Sequence, residues 1–483
     1  MTSHAANAAT ANGTTLDTTY ANTTNANTTN ANTTDANTTN SSITATNTAN
    51  LTTIPASTAN GESSGSDGSP PEDCLSLVLD NMTSQLTTFK HFLATPAMDT
   101  TLHNKLHNSN GLPDKNIAAL AAKAVDVLHE VQLMLQPAQL ILADHFLGFE
   151  STKCLVAAVS LRVPDLLAEH GMMSIGQLAD AAGARRDRLG QVMRLLHSNG
   201  IFEGDADMGM YKNNFRSELL RSDHWTQWHN WVELYGNQFY DIARGIPASV
   251  HEGTIRSAAQ HNYDTDENMF TYFQKQGWVP LLHRTLGGGA VAQAPGIVAD
   301  YPWRELGNKI LLDVGGGGGG LVAALLRGNP SLRAGIFDLP AVIEHTRPFF
   351  QDGGQYGDIA GRVAQENLVG GDFFVNVPSH EVYVMKWCLH DWLDPDAIKI
   401  LKNIRRAIVP GEGSRLIVLE SIMTGGEMGR LSRYGDINMM MTAKGQERTM
   451  YEWYQLARDS GWKISKVHKL RNAWVSAIDM RPE

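Results

Sequence analysis

Residues 309–340 read KILLDVGGGGGGLVAALLRGNPSLRAGIFDLP, and this stretch limits the possible folds more than any other. Ile310 to Val314 is a short apolar run suited to a buried parallel strand. The glycines Gly315 to Gly320 then allow a tight turn and a close backbone approach to a ligand, with no Cβ in the way. Leu321 to Leu326 continues as a helix, whose N-terminus presents free N–H groups. A second apolar strand, Ala334 to Phe337, ends in Asp338, where a carboxylate can take both hydroxyls of a ribose. This order predicts a nucleoside-cofactor site in a doubly wound α/β fold. A flexible glycine linker would not be flanked by Val/Ile/Leu strands.

The loop alone leaves the cofactor open, because Gly315, Gly317 and Gly320 also satisfy the G-x-G-x-x-G spacing of a nicotinamide dinucleotide site. Downstream residues discriminate. The run VYVMKWCLHDW, 382–392, predicts a buried strand carrying Lys386, with His390 and Asp391 at its carboxyl end. Ligands of open α/β sheets sit beyond the carboxyl ends of the strands, which places His390 in the crevice. A further strand, Arg415 to Leu419, delivers Glu420 to the same edge. Glu447 follows in KGQERTMYEW, at the expected start of a helix. One imidazole and two carboxylates around a cofactor cleft are equipment for proton abstraction.

The ordered set DVGGG, FDLP, GGDFF, MKWCLHDW, VLES and KGQERT resembles the plant- and fungal-type small-molecule O-methyltransferases, class I enzymes dependent on S-adenosyl-methionine. The resemblance runs from about Pro137 to the C-terminus and is tightest over 309–471. It implies a Rossmann-like catalytic domain in which Gly315, Gly317 and Asp338 hold the methionine and ribose parts of S-adenosyl-methionine. It further implies that Asp372 and Phe373 flank the adenine, that Lys386 contacts the cofactor, and that His390 is the general base bracketed by Glu420 and Glu447. Gly318 stands where the family often has a small polar residue, a change the backbone-lined site should tolerate. The segment INMMMTA after Asp436 aligns only with a gap, so no substrate contact carries over there.

The residue types suit that chemistry independently. A phenol, with a pKa of about 10, is a poor nucleophile at neutral pH until deprotonated. A histidine can accept the proton, which is worth about 10²–10⁴-fold in rate, while a carboxylate on its other nitrogen fixes the tautomer. No metal is expected: His390 and Asp391, as neighbours at a strand end, should point apart, and no further His/Cys/Asp cluster has ligand spacing. Trp225, Trp228 and Trp231 share roughly one helical face and read as core first and substrate wall second. Met439 to Met441 read mainly as core, with one adaptable methionine lining an aromatic substrate.

Composition bounds the remainder. Residues 1–73 repeat ANTTN-like units and carry six acids with no Lys or Arg, so six of the formal −11 charges lie there and −5 on the rest. Such a segment has little apolar mass to bury and is expected to be a disordered low-complexity tail. Its N-x-T sequons follow no basic and apolar leader, so a cytoplasmic protein with unmodified sequons is expected. The odd, scattered Cys74, Cys154 and Cys388 agree with reduced thiols, and no apolar run is long enough to span a membrane. Residues 74–290 predict a helical and winged-helix dimerisation domain, with the winged helix at about 140–215; 291–483 form the catalytic domain. Arg185, Arg186, Arg188 and Arg194 decorate the second helix of the winged module, yet the wing carries Glu203, Asp205 and Asp207, which argues against nucleic acid. An amphipathic stripe over 115–135, stopped by Pro137, predicts a homodimer. The expected partners are therefore a small phenolic substrate and a second copy of the chain, with neither nucleic acid nor membrane.

Overall fold

The computed structural model describes residues 72–483. The expected tail, 1–73, lies almost wholly outside them. The helix Glu72–Leu93 belongs to a compact unit of its own, distinct from the one that contains 95–483.

The catalytic part is a seven-stranded sheet. Its parallel strands are β4 (Ile310–Val314), β5 (Arg333–Asp338), β6 (Leu368–Gly370), β7 (Val382–Lys386) and β8 (Arg415–Glu420); the antiparallel pair is β11 (Trp462–Lys469) and β12 (Ser476–Pro482). The order across the sheet is β11-β12-β8-β7-β4-β5-β6. The chain thus leaves β4 in one direction through β5 and β6, then returns to β4's other side with β7 and β8. That reversal opens a crevice above the carboxyl ends of β4 and β7, where open α/β sheets bind ligands. Helices cover both faces, so the strands read as near-continuous apolar runs. Leu312, Val314, Val384, Val418 and Leu419 are all 0% exposed, and each such side chain contributes about 1.5–3 kcal/mol by burial.

The glycine stretch folds as expected: strand, loop, then the helix Gly320–Gly328. Three expectations are corrected by the structure. Strand β7 ends at Lys386, and His390 stands beyond it in a single 3₁₀ turn, Leu389–Asp391, rather than at the strand end. Glu447 precedes the short strand β10 (Arg448–Thr449), which pairs with β9 (Ile422–Met423); the following helix begins only at Met450, capped by the Thr449 hydroxyl on the Glu452 N–H. Trp225 is not on the helix of its two neighbours, because that helix starts at Trp228 and the Trp225 indole donates to the Ser109 carbonyl instead.

Ahead of the sheet, the helices Ile175–Ala182 and Arg186–Ser198 lead into a small sheet of β1 (Met173–Ser174), β2 (Phe202–Asp205) and β3 (Met210–Asn213), ordered β1-β3-β2. The first helix carries a full capping box between Ser174 and Gln177. The helix Lys115–Leu135 ends where Pro137 stops it, and Asp114 caps its start. Its Lys115 reaches Asp300 at 2.9 Å, where Arg471 also binds, and despite burial these cations hold the Asp300 carboxyl down at about 2. Asp300 closes the helix Val279–Asp300, which runs unbroken through the expected boundary at 290/291. Glycines on that helix let neighbours approach: a Cβ on Gly296 would sit 1.7 Å from the Arg471 carbonyl oxygen. No helix among the described residues is long and apolar enough to cross a membrane.

Candidate active site

On one side of the crevice the backbone itself forms the cradle. Gly315, Gly317 and Gly319 have φ of 75°, 55° and 79°, values that L side chains rarely adopt. A Cβ on Gly317 would meet nothing within 4 Å, so the space above that loop is open for a ligand. The Gly317 N–H donates to Asp338 Oδ2 at 2.8 Å, and Thr346 donates to the Gly317 carbonyl at 3.0 Å, which pins the loop to the end of β5. Asp338 Oδ1 accepts the Leu339 N–H at 2.7 Å; burial pushes its carboxyl up, and the two amides oppose that. Asp372 accepts the Phe374 N–H at 2.8 Å and so shapes the turn bearing Phe373, whose carbonyl is held by Asn403 at 2.7 Å. Phe373 packs on Phe374 and Trp392 and is only half-buried.

Two further charged groups stand at the base of the cradle. Lys386 lies 3.7 Å from the centre of the Trp387 ring, and burial lowers its ammonium to about 8 against the pull of Glu420 and Asp313. Asp313 was passed over as part of an apolar strand. It is 2% exposed, and burial together with the nearby Asp338 charge raises it to about 7, with Lys386 opposing. A Cβ on Gly316 would come within 2.8 Å of its carboxylate, so the acid abuts the loop from below. The signal was present in the sequence, since a carboxylate inside ILLDV interrupts a run that packing alone would keep apolar. A backbone-lined hollow with left-handed glycines, a strand-end acid and a buried cation–acid pair fits a nucleoside whose other end carries amino and carboxylate groups.

The other side is built around His390, which is 8% exposed. Its Nδ1 lies 2.9 Å from Glu447 Oε1 and 3.5 Å from Glu420 Oε2. Both acids are buried, so the ring donates its Nδ1 proton to Glu447, which leaves Nε2 on the side of Asp391. Burial alone would lower this imidazole, but the Glu420 charge, the Glu447 hydrogen bond and Asp391 outweigh it and push the histidine up to about 9. Asp391 does not point away as expected; its Oδ1 is 3.8 Å from Nε2, and burial raises it to about 6.

Arg448 holds this arrangement together. Fully buried, it donates to the carbonyls of Leu389 and Trp392 at 3.1 and 2.7 Å and to Asp394 at 2.9 Å, stapling the Glu447 loop to the His390 turn. Sequence reasoning missed it because an arginine beside an expected helix start carries no local sign of burial. Glu447 is also fixed by its own N–H, which donates to Asp436 at 2.9 Å. The structure thus brings His390, Glu420 and Glu447 together across three separate elements, and places Gly315, Gly317, Asp338 and Lys386 around the neighbouring cradle. The His390, Glu420 and Glu447 ligand atoms also fall within 4.8 Å of one another, close enough to hold a cation.

A glycine-lined hollow on one side of a switch point and a buried histidine–carboxylate cluster on the other suit a cofactor-dependent enzyme of small molecules. Residues 305–463 match the family model of the O-methyltransferase domain, and residues 143–223 that of the O-methyltransferase dimerisation domain. The O-methyltransferase aclM of Aspergillus oryzae is 58% identical over 380 residues, 78% of this chain and 88% of that one. The O-methyltransferase gliM of Aspergillus fumigatus is 45% identical, covering 80% of this chain and 90% of its own. Among solved structures, LaPhzM aligns with a TM-score of 0.58 at 28% identity, covering 72% of this chain and 100% of that chain. The neocarzinostatin-biosynthesis O-methyltransferase NcsB1, solved with S-adenosylmethionine and 2-hydroxy-5-methyl naphthoic acid, aligns with a TM-score of 0.52 at 26% identity, covering 69% and 96%.

This chain belongs to the O-methyltransferase family. It is an S-adenosyl-methionine-dependent O-methyltransferase of secondary metabolism, as the resemblance in its motifs implied.

Proposed function

We propose that the protein methylates a phenolic hydroxyl of a small aromatic metabolite, with His390 as the general base. The observation that carries this reading is a buried histidine whose Nδ1 is tied to Glu447, so that Nε2 is the nitrogen left to take a proton. S-adenosyl-methionine supplies an electrophilic methyl on a sulfonium, held by the cradle of Gly315, Gly317 and Asp338, with Asp372 and Phe373 beside the adenine and Lys386 below. The acceptor hydroxyl gives its proton to His390 Nε2, and Glu447 and Glu420 stabilise the imidazolium that results. A base raised to about 9 suits a phenol of pKa about 10, since the transfer is then uphill by only about 1.4 kcal/mol. Asp391, beside Nε2, would accept a second donor of the acceptor next to the hydroxyl being methylated. Part-exposed Trp228, Trp387 and Trp474 form a continuous aromatic cluster that supports a flat acceptor.

The same reading makes the functional unit a homodimer. The dimerisation-domain match and the exposed Leu120, Val127, Leu128, Leu142, Phe146 and Phe149 support it. It keeps 74–290 as dimerisation domain and 291–483 as catalytic domain, joined by the helix Val279–Asp300. The unpaired cysteines support a cytoplasmic location, and the Glu203–Lys212 and Asp187–Arg185 pairs weaken the basic face a nucleic acid would need.

The test is transfer of labelled methyl from S-adenosyl-methionine to a panel of phenols, with His390→Ala beside the native protein. Loss of turnover by about 10²–10⁴-fold, with S-adenosyl-homocysteine affinity kept, is expected. Loss of S-adenosyl-homocysteine binding would make His390 a cofactor ligand instead.

A further inference from the structure

Glu420 touches the histidine less than it touches the chain that carries it. Fully buried at the end of β8, its Oε1 accepts two consecutive backbone N–H groups, those of Cys388 and Leu389, at 2.8 Å each. Those amides follow directly on Trp387, whose φ is 50°. A bulky L-residue in that left-handed region brings its Cβ against the following carbonyl, and it stays there only where the surroundings hold it. Here the last two residues of β8 provide the hold. The Leu419 carbonyl accepts the Trp387 N–H at 3.2 Å, and the Glu420 carboxylate takes the next two amides. Within one turn the chain then presents Lys386 and Trp387 at the base of the cofactor cradle and His390 at the acceptor side. The second oxygen of Glu420, Oε2, has no hydrogen-bond partner and lies 3.5 Å from Nδ1, whereas Glu447 takes that nitrogen at 2.9 Å. Glu447 orients the ring; Glu420 orients the backbone beneath it.

We propose that Glu420 is a positioning residue shared by both half-sites: its carboxylate clamps the left-handed Trp387 turn and so sets Lys386 for the cofactor and His390 for the acceptor together. This rests on the reading of His390 as base and of the glycine loop as cofactor cradle. It separates the two acids flanking the histidine: both charges reach the imidazole, but Glu447 holds the ring by a hydrogen bond, whereas Glu420 also holds the main chain. The titratable groups facing Glu420 are His390, Glu447, Lys386, Asp391 and the Cys388 thiol.

The experiment compares Glu420→Gln, Glu420→Asp, Glu420→Ala and Glu447→Gln by calorimetric binding of S-adenosyl-homocysteine and by turnover against pH. Glutamine keeps a carbonyl oxygen for the two amides and removes the charge; aspartate keeps the charge but retracts it by one methylene. Glu420→Gln should bind S-adenosyl-homocysteine within about three-fold of native and lose less than about ten-fold in turnover, with its pH midpoint moved lower. Glu420→Ala and Glu420→Asp should each weaken S-adenosyl-homocysteine by at least about ten-fold and slow turnover by about 100-fold or more. Glu447→Gln should slow turnover with cofactor affinity unchanged. The proposal is overturned if Glu420→Asp binds cofactor as the native protein does, or if Glu420→Gln is as impaired as the aspartate variant. If the alanine variant does not fold, the Gln/Asp pair alone decides. Normal turnover in His390→Ala would instead remove the base assignment, leaving the cofactor-binding comparison intact.

Discussion

Two adjacent glycines of the 315–320 loop, the proposed cofactor cradle, should respond in opposite directions to the same substitution. Gly319 has a φ of 79°, and a Cβ there would lie 2.6 Å from the Phe350 ring and 2.9 Å from the Ile336 side chain. Alanine at 319 therefore pays about 1–2 kcal/mol for the left-handed backbone and about 1–3 kcal/mol for overpacking, a loss of about 2–5 kcal/mol in all. Gly318 lies outside the left-handed region, and a Cβ there would meet only Phe349, at an ordinary 4.0 Å. Alanine at 318 strains nothing and narrows the unfolded ensemble, which stabilises by about 0.4–1 kcal/mol. The assay is thermal unfolding of Gly318→Ala and Gly319→Ala beside the native protein, with S-adenosyl-homocysteine affinity measured on each. The 318 variant should melt at or above the native temperature and bind cofactor normally, because its loop contacts are made by backbone. The 319 variant should melt several degrees lower. Equal destabilisation of the two would refute the argument, since it would mean that loop length or flexibility, rather than local backbone handedness and space, sets the requirement for glycine.

Turnover should rise with pH from neutrality to a midpoint near 9, because His390, the proposed base, is pushed up to about 9 and in that role must be neutral. Stability should run the other way: a histidine raised from its ordinary 6.5 contributes fully below that pH and loses the contribution as pH climbs through about 9. A turnover profile flat between pH 7 and 9 would contradict the environment assigned to this ring. Asp338→Ala should weaken S-adenosyl-homocysteine by about 10- to 150-fold, the worth of a charged hydrogen bond, while turnover at saturating cofactor changes little; an unchanged dissociation constant would displace the ribose from Asp338. Leu120→Glu with Leu128→Glu, both on the exposed stripe of the 115–135 helix, should yield monomers by light scattering and lose turnover with them, whereas a fully active monomer would show that the site is complete in one chain. Chelation of divalent cations should leave turnover unchanged; loss restored by added metal would turn the His390, Glu420 and Glu447 cluster into a metal centre.

Much of the site could be read from single segments because its logic is local. Strand, glycine loop, helix and strand-end acid lie within 30 residues, and each step is dictated by side-chain pattern, by glycine's freedom or by the polarity of a helix end. The capped helix Lys115–Leu135 was legible for the same reason, with Pro137 as its stop. Residue type also marked His390, Glu420 and Glu447 as chemistry, since buried runs ending in ionisable groups need a purpose. What the sequence could not contain was which atoms meet. Glu420 ends a strand and Glu447 lies in a loop, and only the packing of β7, β8 and the β10 loop assigns one to two backbone amides and the other to Nδ1. Asp313 was marked only by a carboxylate inside an apolar run, and Arg448 by nothing local, because the burial of both is a property of the assembled sheet and loop. Periodicity likewise placed Trp225 on a helix that begins only at Trp228, and the expected boundary at 290/291 falls inside one helix whose glycines pack closely on Arg471 and Trp231. Local propensity decides which segments become strand or helix; long-range contact, whose partners lie tens to hundreds of residues away, decides the protonation, orientation and strain of the groups that react.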